Sequence, residues 1–410
     1  MAAGVLFVHS NFPAQFRDLA QALVARGVPC FAIGGEHAPG LPGVELVRYR
    51  LGRGTAKDVF PLAVRAEADL LRGRFALDAA RWLKNQGHEP QVIVGHPGWG
   101  ETSLLSHVFP AAKQALFSEF YYHGAGSDID FDPEFWNGEE EALLRGKAKN
   151  AVMAMALAEA DAIVAPTEFQ ASRLPASLRG RTRVIHEGID VEAIRPGPAE
   201  PFALPDGPVI APGAPVVTHV NNQMEPMRGL HVFARALPRL LAEVPDAHAL
   251  IIGEEKKRGY GAEAPGGGTW KQAFFEPLAS RLDPSRVHFL GRVPHQRMLA
   301  ALRLSAAHVY YSYPFVLSWS LVEAMASGCY VIGSDTGPVR DAIRDGVNGR
   351  LLPFFDVDAL SQAMIAACRD PQAQAPLRAA ARETAVASFS RTKGRAAWIA
   401  LLGELGLEVC

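Results

Sequence analysis

Short runs of consecutive apolar residues alternate with amphipathic stretches along nearly the whole chain. In the first half the apolar runs lie at 5–8, 30–33, 92–94, 115–117, 162–164 and 183–186, and each predicts a strand. Helical periodicity occupies 15–26, 62–86, 103–109 and 139–159. Runs that do not alternate apolar with polar are buried on both faces, so this order predicts a parallel sheet covered by helices on each side.

A break follows, and then the alternation restarts. Residues 195–215 hold seven prolines among scattered Gly and Ala, without periodicity. Proline forces extended or turn backbone and removes a donor, so the stretch reads as a linker. Beyond it, strand runs at 215–220, 249–252, 287–289, 308–311, 330–333 and 350–352 interleave with helical patterns at 229–243, 270–282, 295–304, 320–327, 338–345 and 359–369. An amphipathic stretch at 391–405 comes last. The expectation is α/β: two Rossmann-like, doubly wound parallel-sheet domains facing a cleft. The first covers 1–197, the linker 198–214, the second 215–388, and 389–410 form a terminal helix. Ligands of such sheets sit at the carboxyl ends of the strands.

Length agrees with two domains, since 410 residues exceed the roughly 250–300 at which a single hydrophobic core stops growing. A net charge of -2 leaves no basic footprint, which excludes a nucleic-acid binder. The cysteines, Cys30, Cys329, Cys368 and Cys410, are far apart with no Cys-x-x-Cys, so neither a disulfide framework nor a metal site is signalled. The chain opens on an apolar run with no basic segment before it, and no run reaches the ~20 residues of a bilayer span. A cytoplasmic protein is expected. Residues 62–86 carry Arg65, Arg72, Arg74, Arg81 and Lys84, a basic face that would suit peripheral contact with the inner face of the membrane. Glu67, Asp69 and Asp78 dilute it, and an ordinary solvated face is the better reading.

Residues 310–337 read Tyr-Tyr-Ser-Tyr-Pro-Phe-Val-Leu-Ser-Trp-Ser-Leu-Val-Glu-Ala-Met-Ala-Ser-Gly-Cys-Tyr-Val-Ile-Gly-Ser-Asp-Thr-Gly. That is a strand end, a Ser/Trp loop, a short helix, a glycine turn, a second strand and another glycine turn. Within it, Glu323-Ala324-Met325-Ala326-Ser327-Gly328 and Val331-Ile332-Gly333-Ser334 resemble the signature of the family-4 glycosyltransferases of the GT-B fold. Glu225-Pro226-Met227-Arg228-Gly229 is similar to that family's x-P-x-K-G turn, and Phe289-Leu290-Gly291-Arg292-Val293 to its F-x-G-x-V strand end. His9-Ser10-Asn11-Phe12-Pro13-Ala14-Gln15-Phe16-Arg17 is similar to the opening of one branch. Ala165-Pro166-Thr167-Glu168 and His186-Glu187-Gly188-Ile189-Asp190 also look like family segments. The resemblance covers essentially the full chain and is strongest from Val217 to Leu352.

The resemblance implies a nucleoside-diphosphate sugar as co-substrate and no further cofactor. As the nucleoside diphosphate leaves, negative charge grows on an oxygen, and fixed donors aimed at it lower the barrier. The resemblance gives that work to Arg228, with Gly229 in the same turn and Gly337 opening a helix whose N-terminus could face phosphate. It gives the ribose hydroxyls to Glu323 and the base to the backbone edge at Val293. Ser318 and Ser320 supply hydroxyls in the loop between. Two positions depart from the family pattern. Phe315 stands where the first carboxylate of an E-x7-E pair is found, and Asn222 or Gln223 stands where a basic residue pairs with Arg228. A neutral amide does not neutralise a diphosphate. Lys256, Lys257 or Arg258 would have to supply the charge, although such a run reads equally as a solvated loop. Gly266-Gly267-Gly268 lacks the preceding strand and the following Lys-Ser/Thr of a phosphate loop.

In the first half, the run Val92–Val94 leads into Gly95-His96-Pro97-Gly98-Trp99-Gly100-Glu101, a histidine and an aromatic among three glycines at a strand end. The resemblance implies a histidine of this kind over the sugar, so His96 is the first catalytic candidate; the plainer alternative is a turn histidine. The next strand end, Ser118-Glu119-Phe120-Tyr121-Tyr122-His123, offers Glu119 as a general base on an acceptor hydroxyl and His123 as an alternative to His96. Packing by Phe120 and Tyr121 is the competing account. Trp99 offers a stacking face to a sugar ring, Ser10 and Asn11 follow the first strand on the acceptor side, and 128–136 look like an acceptor-side loop.

The expected function is sugar transfer from a nucleoside-diphosphate sugar to a hydroxyl acceptor in glycan, polysaccharide or glycoconjugate biosynthesis. The acceptor class stays open between a glycan, a lipid-linked and a small-molecule hydroxyl. The resemblance implies retention of configuration, no metal requirement, an acceptor-side first domain, a donor-binding second domain and a final helix packed back on the first. Phe315 and Asn222 motivate a different reading, a non-catalytic scaffold or regulatory subunit. A sugar-nucleotide epimerase on a similar fold is a third.

Overall fold

The first strand, β1 (Gly4–Val8), is buried along its whole length, as a strand covered on both faces must be. The structure, a computed structural model, describes residues 4–205 and 207–408. The chain divides into two units. One runs to Gly188 and takes the chain up again from Arg391; the other is Ile189–Ser390.

In the first unit β1 joins β2 (Cys30–Gly35), β3 (Glu45–Tyr49), β4 (Pro90–Gly95), β5 (Lys113–Phe117), β6 (Ala162–Ala165) and β7 (Thr182–Val184). They form one seven-stranded sheet in the order β3-β2-β1-β4-β5-β6-β7, with every pairing parallel. The chain steps outward from β1 to β3, then returns to lay β4 on the other side of β1. Loops leaving β1 and β4 therefore diverge, and a crevice opens at their carboxyl ends. Helix Arg17–Val24 buries Leu19, Ala20, Ala22 and Leu23 against this sheet. The last helix, Arg391–Glu404, places Trp398, Leu401 and Leu402 in the same core, with the Trp398 ring 6.3 Å from Phe16 and 6.4 Å from Phe117.

The second unit begins with an antiparallel ribbon of β8 (Phe202–Ala203) and β9 (Val209–Ile210). Its main sheet contains β10 (Val216–Gln223), β11 (His248–Glu254), β12 (Val287–Gly291), β13 (Ala307–Tyr310), β14 (Val331–Ser334) and β15 (Arg350–Leu352). Their order is β12-β11-β10-β13-β14-β15, again all parallel. The reversal here lies between β10 and β13. Both units are doubly wound parallel α/β structures, as the alternating pattern implies.

Several elements differ from the pattern-based expectation, each for a local reason. β3 is an edge strand in which only Tyr49 is fully buried and Glu45 and Arg48 are exposed, so no long apolar run marks it. The 139–159 periodicity is two helices, Glu140–Ala148 and Ala151–Glu159. Asn150 interrupts it: its side chain accepts from Tyr122 N at 2.9 Å and donates to Tyr122 O at 2.6 Å. Residues 103–109 yield only the 3-10 turn Leu105–His107. The 270–282 helix stops at Phe275 and continues as a 3-10 segment, Glu276–Arg281, because Pro277 has no N–H to donate. Helix Ala375–Phe389 has no counterpart in the sequence reading; its buried face is mostly alanine, too small to register as a hydrophobic stripe. Residues 198–214, whose prolines suggest a bare connector, contribute Phe202, Leu204 and Ile210 to the second unit's core.

Cys30, Cys329 and Cys368 are buried free thiols, and Cys410 lies outside the described residues. Among the described residues no helix is long and apolar enough to cross a membrane.

Candidate functional site

At the first unit's reversal point, the loop after β1 and the loop after β4 bring two histidines together. His9 Nδ1 accepts from Asn11 N at 2.9 Å, and the Ser10 carbonyl accepts from Gly35 N at 2.8 Å, which fixes the loop to β2. His96 is tied to the end of β1 by its backbone N–H, which donates to Val8 O at 3.0 Å. Its Nδ1 accepts from Gly98 N at 3.2 Å, which leaves Nε2 pointing to Glu119 Oε2 at 3.6 Å. The His9 and His96 rings meet edge-on at 5.4 Å. Burial, with the neighbouring His96, holds the His9 pKa down at about 3, so His9 is neutral. His96 is buried, whereas the Glu119 side chain is 51% exposed. A base that reaches solvent beside a buried imidazole can exchange protons with an incoming hydroxyl.

Trp99 is exposed and stacks at 6.2 Å on His96. Ser10 is half-buried and Asn11 exposed. His96, Glu119, Trp99, Ser10 and Asn11 therefore belong to one neighbourhood. His123 does not join it. Its Nε2 lies 2.7 Å from the Arg173 carbonyl, to which it must donate, and it lines a separate cavity of about 700 Å³ with Tyr121, Tyr122, Leu143 and Lys147.

At the second unit's reversal point, Arg228 is buried, 6% exposed, in the turn after β10. Its Nη1 donates to Ser312 Oγ at 2.8 Å, to Val316 O at 3.0 Å and to Tyr310 Oη at 3.3 Å, all on or just beyond β13. Phe315 lies 5.8 Å from the guanidinium. The turn needs glycine after Arg228: Gly229 has φ 71, and a Cβ there would stand 2.3 Å from Tyr311 Cβ. Ser318 caps helix Trp319–Ala326, accepting from Ser320 N at 3.3 Å, while its own N–H donates to Tyr310 Oη at 2.8 Å. Arg228, Ser318 and Ser320 thus share Tyr310 and one loop.

Glu323 projects from the same helix. Its Oε1 lies 2.8 Å from His295 Nε2, and burial raises its pKa against the pull of that histidine. Val293 is half-buried just before helix His295–Leu304. Gly337 opens the four-residue helix Gly337–Arg340; the preceding Thr336 hydroxyl donates to Ser312 O at 2.8 Å, so this turn is knit to the Arg228 loop. Lys256 pairs with half-buried Glu254 at 3.0 Å and Arg258 with Glu263 at 3.8 Å; Lys256, Arg258 and Glu263 are exposed, in keeping with a solvated loop.

Two family descriptions match this chain: Glycosyl transferase family 4 group over residues 26–194, and Glycosyl transferases group 1 over residues 208–384. The chain belongs to the family-4 glycosyltransferases of the GT-B fold. The chain is 32% identical over 174 residues to phosphatidyl-myo-inositol mannosyltransferase of Mycolicibacterium smegmatis, a match covering 41% of this chain and 39% of that protein. It is 31% identical over 201 residues to D-inositol 3-phosphate glycosyltransferase of Nocardia farcinica, covering 48% and 42%. The chain thus matches about two fifths of the length of these curated relatives. Among solved structures, sucrose-phosphate synthase from Thermosynechococcus elongatus is similar over 98% of this chain and 99% of its own, with a TM-score of 0.73 and 18% identity. That likeness is one of fold.

Sequence reasoning missed three residues built into these clusters. Tyr310 looks like a strand aromatic, yet its hydroxyl bonds both Arg228 and Ser318. His295 stands 28 residues from its partner Glu323 and carries no local signal. Asp69 looked like a solvated carboxylate, and it is 1% exposed. Only the i, i+4 and i, i+3 spacing of Arg65, Asp69 and Arg72 on one helix hinted at a built cluster.

Proposed function

We propose that this glycosyltransferase moves a sugar from a nucleoside-diphosphate sugar to a hydroxyl acceptor in glycan or glycoconjugate biosynthesis. The observation that carries the reading is the buried Arg228, oriented by Tyr310, Ser312 and Val316 at the carboxyl ends of β10 and β13. A cation already held in place spends nothing on reorganisation when the diphosphate leaves. Glu323 takes the ribose hydroxyls, steadied by His295, and the Val293 backbone lies against the base. In the other unit, His96 and Glu119 serve the acceptor: the hydroxyl oxygen bonds to the anomeric carbon, the carbon–oxygen bond to the diphosphate breaks with its electron pair going to that oxygen, and Glu119 or the departing oxygen takes the proton. Retention of configuration and independence from metal rest on the family resemblance.

Phe315, in the place of the family carboxylate and 5.8 Å from Arg228, favours the second reading, a non-catalytic scaffold or regulatory subunit. Incubating the purified protein with UDP-, GDP- and ADP-sugars and alcohol acceptors, with and without EDTA, separates the two. Release of nucleoside diphosphate tied to a new glycoside supports transfer. Neither hydrolysis nor transfer of any donor supports the scaffold, and a changed donor sugar without acceptor supports an epimerase.

A further inference from the structure

Helix Val64–Asn85 carries a polar cluster that faces the loop after β4. Asp69 is 1% exposed, and both of its oxygens accept from Arg65 Nε at 2.8 Å. Arg72 Nη2 donates to the same carboxylate. Each arginine has a second task. Arg65 Nη2 donates to the Gly98 carbonyl, and Arg72 Nε donates to the Trp99 carbonyl at 2.6 Å. The Arg65 guanidinium also covers the Trp99 ring at 5.0 Å. The turn is drawn tightly onto the helix: Gly100 has φ 95, and a Cβ there would stand 2.1 Å from the Asp69 carbonyl oxygen. One buried anion thus fixes two cations, and these grip two successive carbonyls of the turn that begins at His96.

We propose that Asp69, acting through Arg65 and Arg72, is a positioning residue that sets the His96–Gly100 turn and with it the aim of the His96 ring toward Glu119. A cluster meant only to solvate the helix would not bury its carboxylate or spend both arginines on carbonyls of one loop. Exposed partners on the same helix show the contrast: Asp78 pairs with Arg81 at 3.2 Å, and both side chains are nearly half exposed. Charge-assisted, geometrically fixed bonds hold a loop more narrowly than packing alone. The importance of the turn for turnover rests on the transferase reading; the clamp itself does not.

Asp69→Asn keeps the shape and removes the charge. The test compares it with the wild-type protein by the His96 ring resonances in carbon–proton NMR spectra, assigned with His96→Gln, and by kcat and donor KM. The clamp predicts displaced or broadened His96 ring signals and a fall in kcat of tenfold or more, with donor KM within twofold. Arg72→Gln, at a side chain 22% exposed, serves if Asp69→Asn does not fold, with the same expectations; Arg72→Lys restores part of the loss. Unmoved His96 signals in a folded variant overturn the proposal, as does unchanged kcat. A wild-type protein without transfer activity would defeat the transferase reading alone, and the His96 signals would still decide the clamp.

Discussion

His295 Nε2 lies 2.8 Å from Glu323 Oε1, joining the start of one helix to the middle of another. The carboxylate is largely buried and its pKa is raised by that burial. Glu323→Ala is predicted to weaken nucleotide binding by about 1.5–3 kcal/mol, the worth of hydrogen bonds to a charged group. Titration calorimetry with a nucleotide and its 2′-deoxy analogue checks this. The deoxy analogue should lose less; equal losses would remove Glu323 from the ribose.

Arg228→Ala should weaken nucleoside diphosphate binding by about 1.5–3 kcal/mol while sparing the nucleoside. Arg228→Lys should recover little. A lysine presents a compact ammonium, and it cannot reach Tyr310, Ser312 and Val316 while keeping a planar face for phosphate. Full recovery by lysine in calorimetry would mean that charge alone matters.

His96→Ala should lower turnover by roughly 10²–10⁴-fold, the range for a general acid or base, with nucleotide affinity unchanged. Glu119→Gln should lower it as well, since Nε2 of His96 stands 3.6 Å from that carboxylate. Steady-state kinetics beside calorimetry reads both. His123→Ala should leave turnover near normal, because its ring is spent on the Arg173 carbonyl.

The second unit should lose stability in acid. Burial holds the pKa of His219 at about 4 and that of His308 at about 3. Unfolded, both titrate near 6.5. The unfolded chain therefore binds more protons below that value. Stability is complete above about pH 6.5 and is lost as pH falls toward about 4, by at most ~1.4 kcal/mol per pH unit for each histidine. Urea unfolding followed from pH 7 to 4 checks this. His308→Asn, which can still bond Thr218, should flatten the slope; an unchanged slope would take His308 out of the account.

Much of this was readable from residues, and the rest was hidden for physical reasons. Non-alternating runs such as Val5–Val8 and Ala162–Val164 marked strands that are buried on both faces. The Glu323-Ala324-Met325 helix and the Arg228-Gly229 turn stood out because spacing and residue type were constrained together. Asp69 could not be read as buried, since only the fold shows that Gly100 lets the turn close onto it. His123 looked equivalent to His96 at a neighbouring strand end, and only the partner of its ring separates them. The ribbon of β8 and β9 is two residues long on each side, below the length at which periodicity carries information.

The central claim is that the second unit holds a nucleoside diphosphate through Arg228 and Glu323. Calorimetric titration of the wild-type protein, Arg228→Ala and Glu323→Ala with UDP, GDP, ADP and CMP tests it most directly. The account predicts that one diphosphate binds well to the wild type, and that each substitution weakens it at least tenfold. No binding by any of the four, or equal affinity in all three proteins, would contradict it.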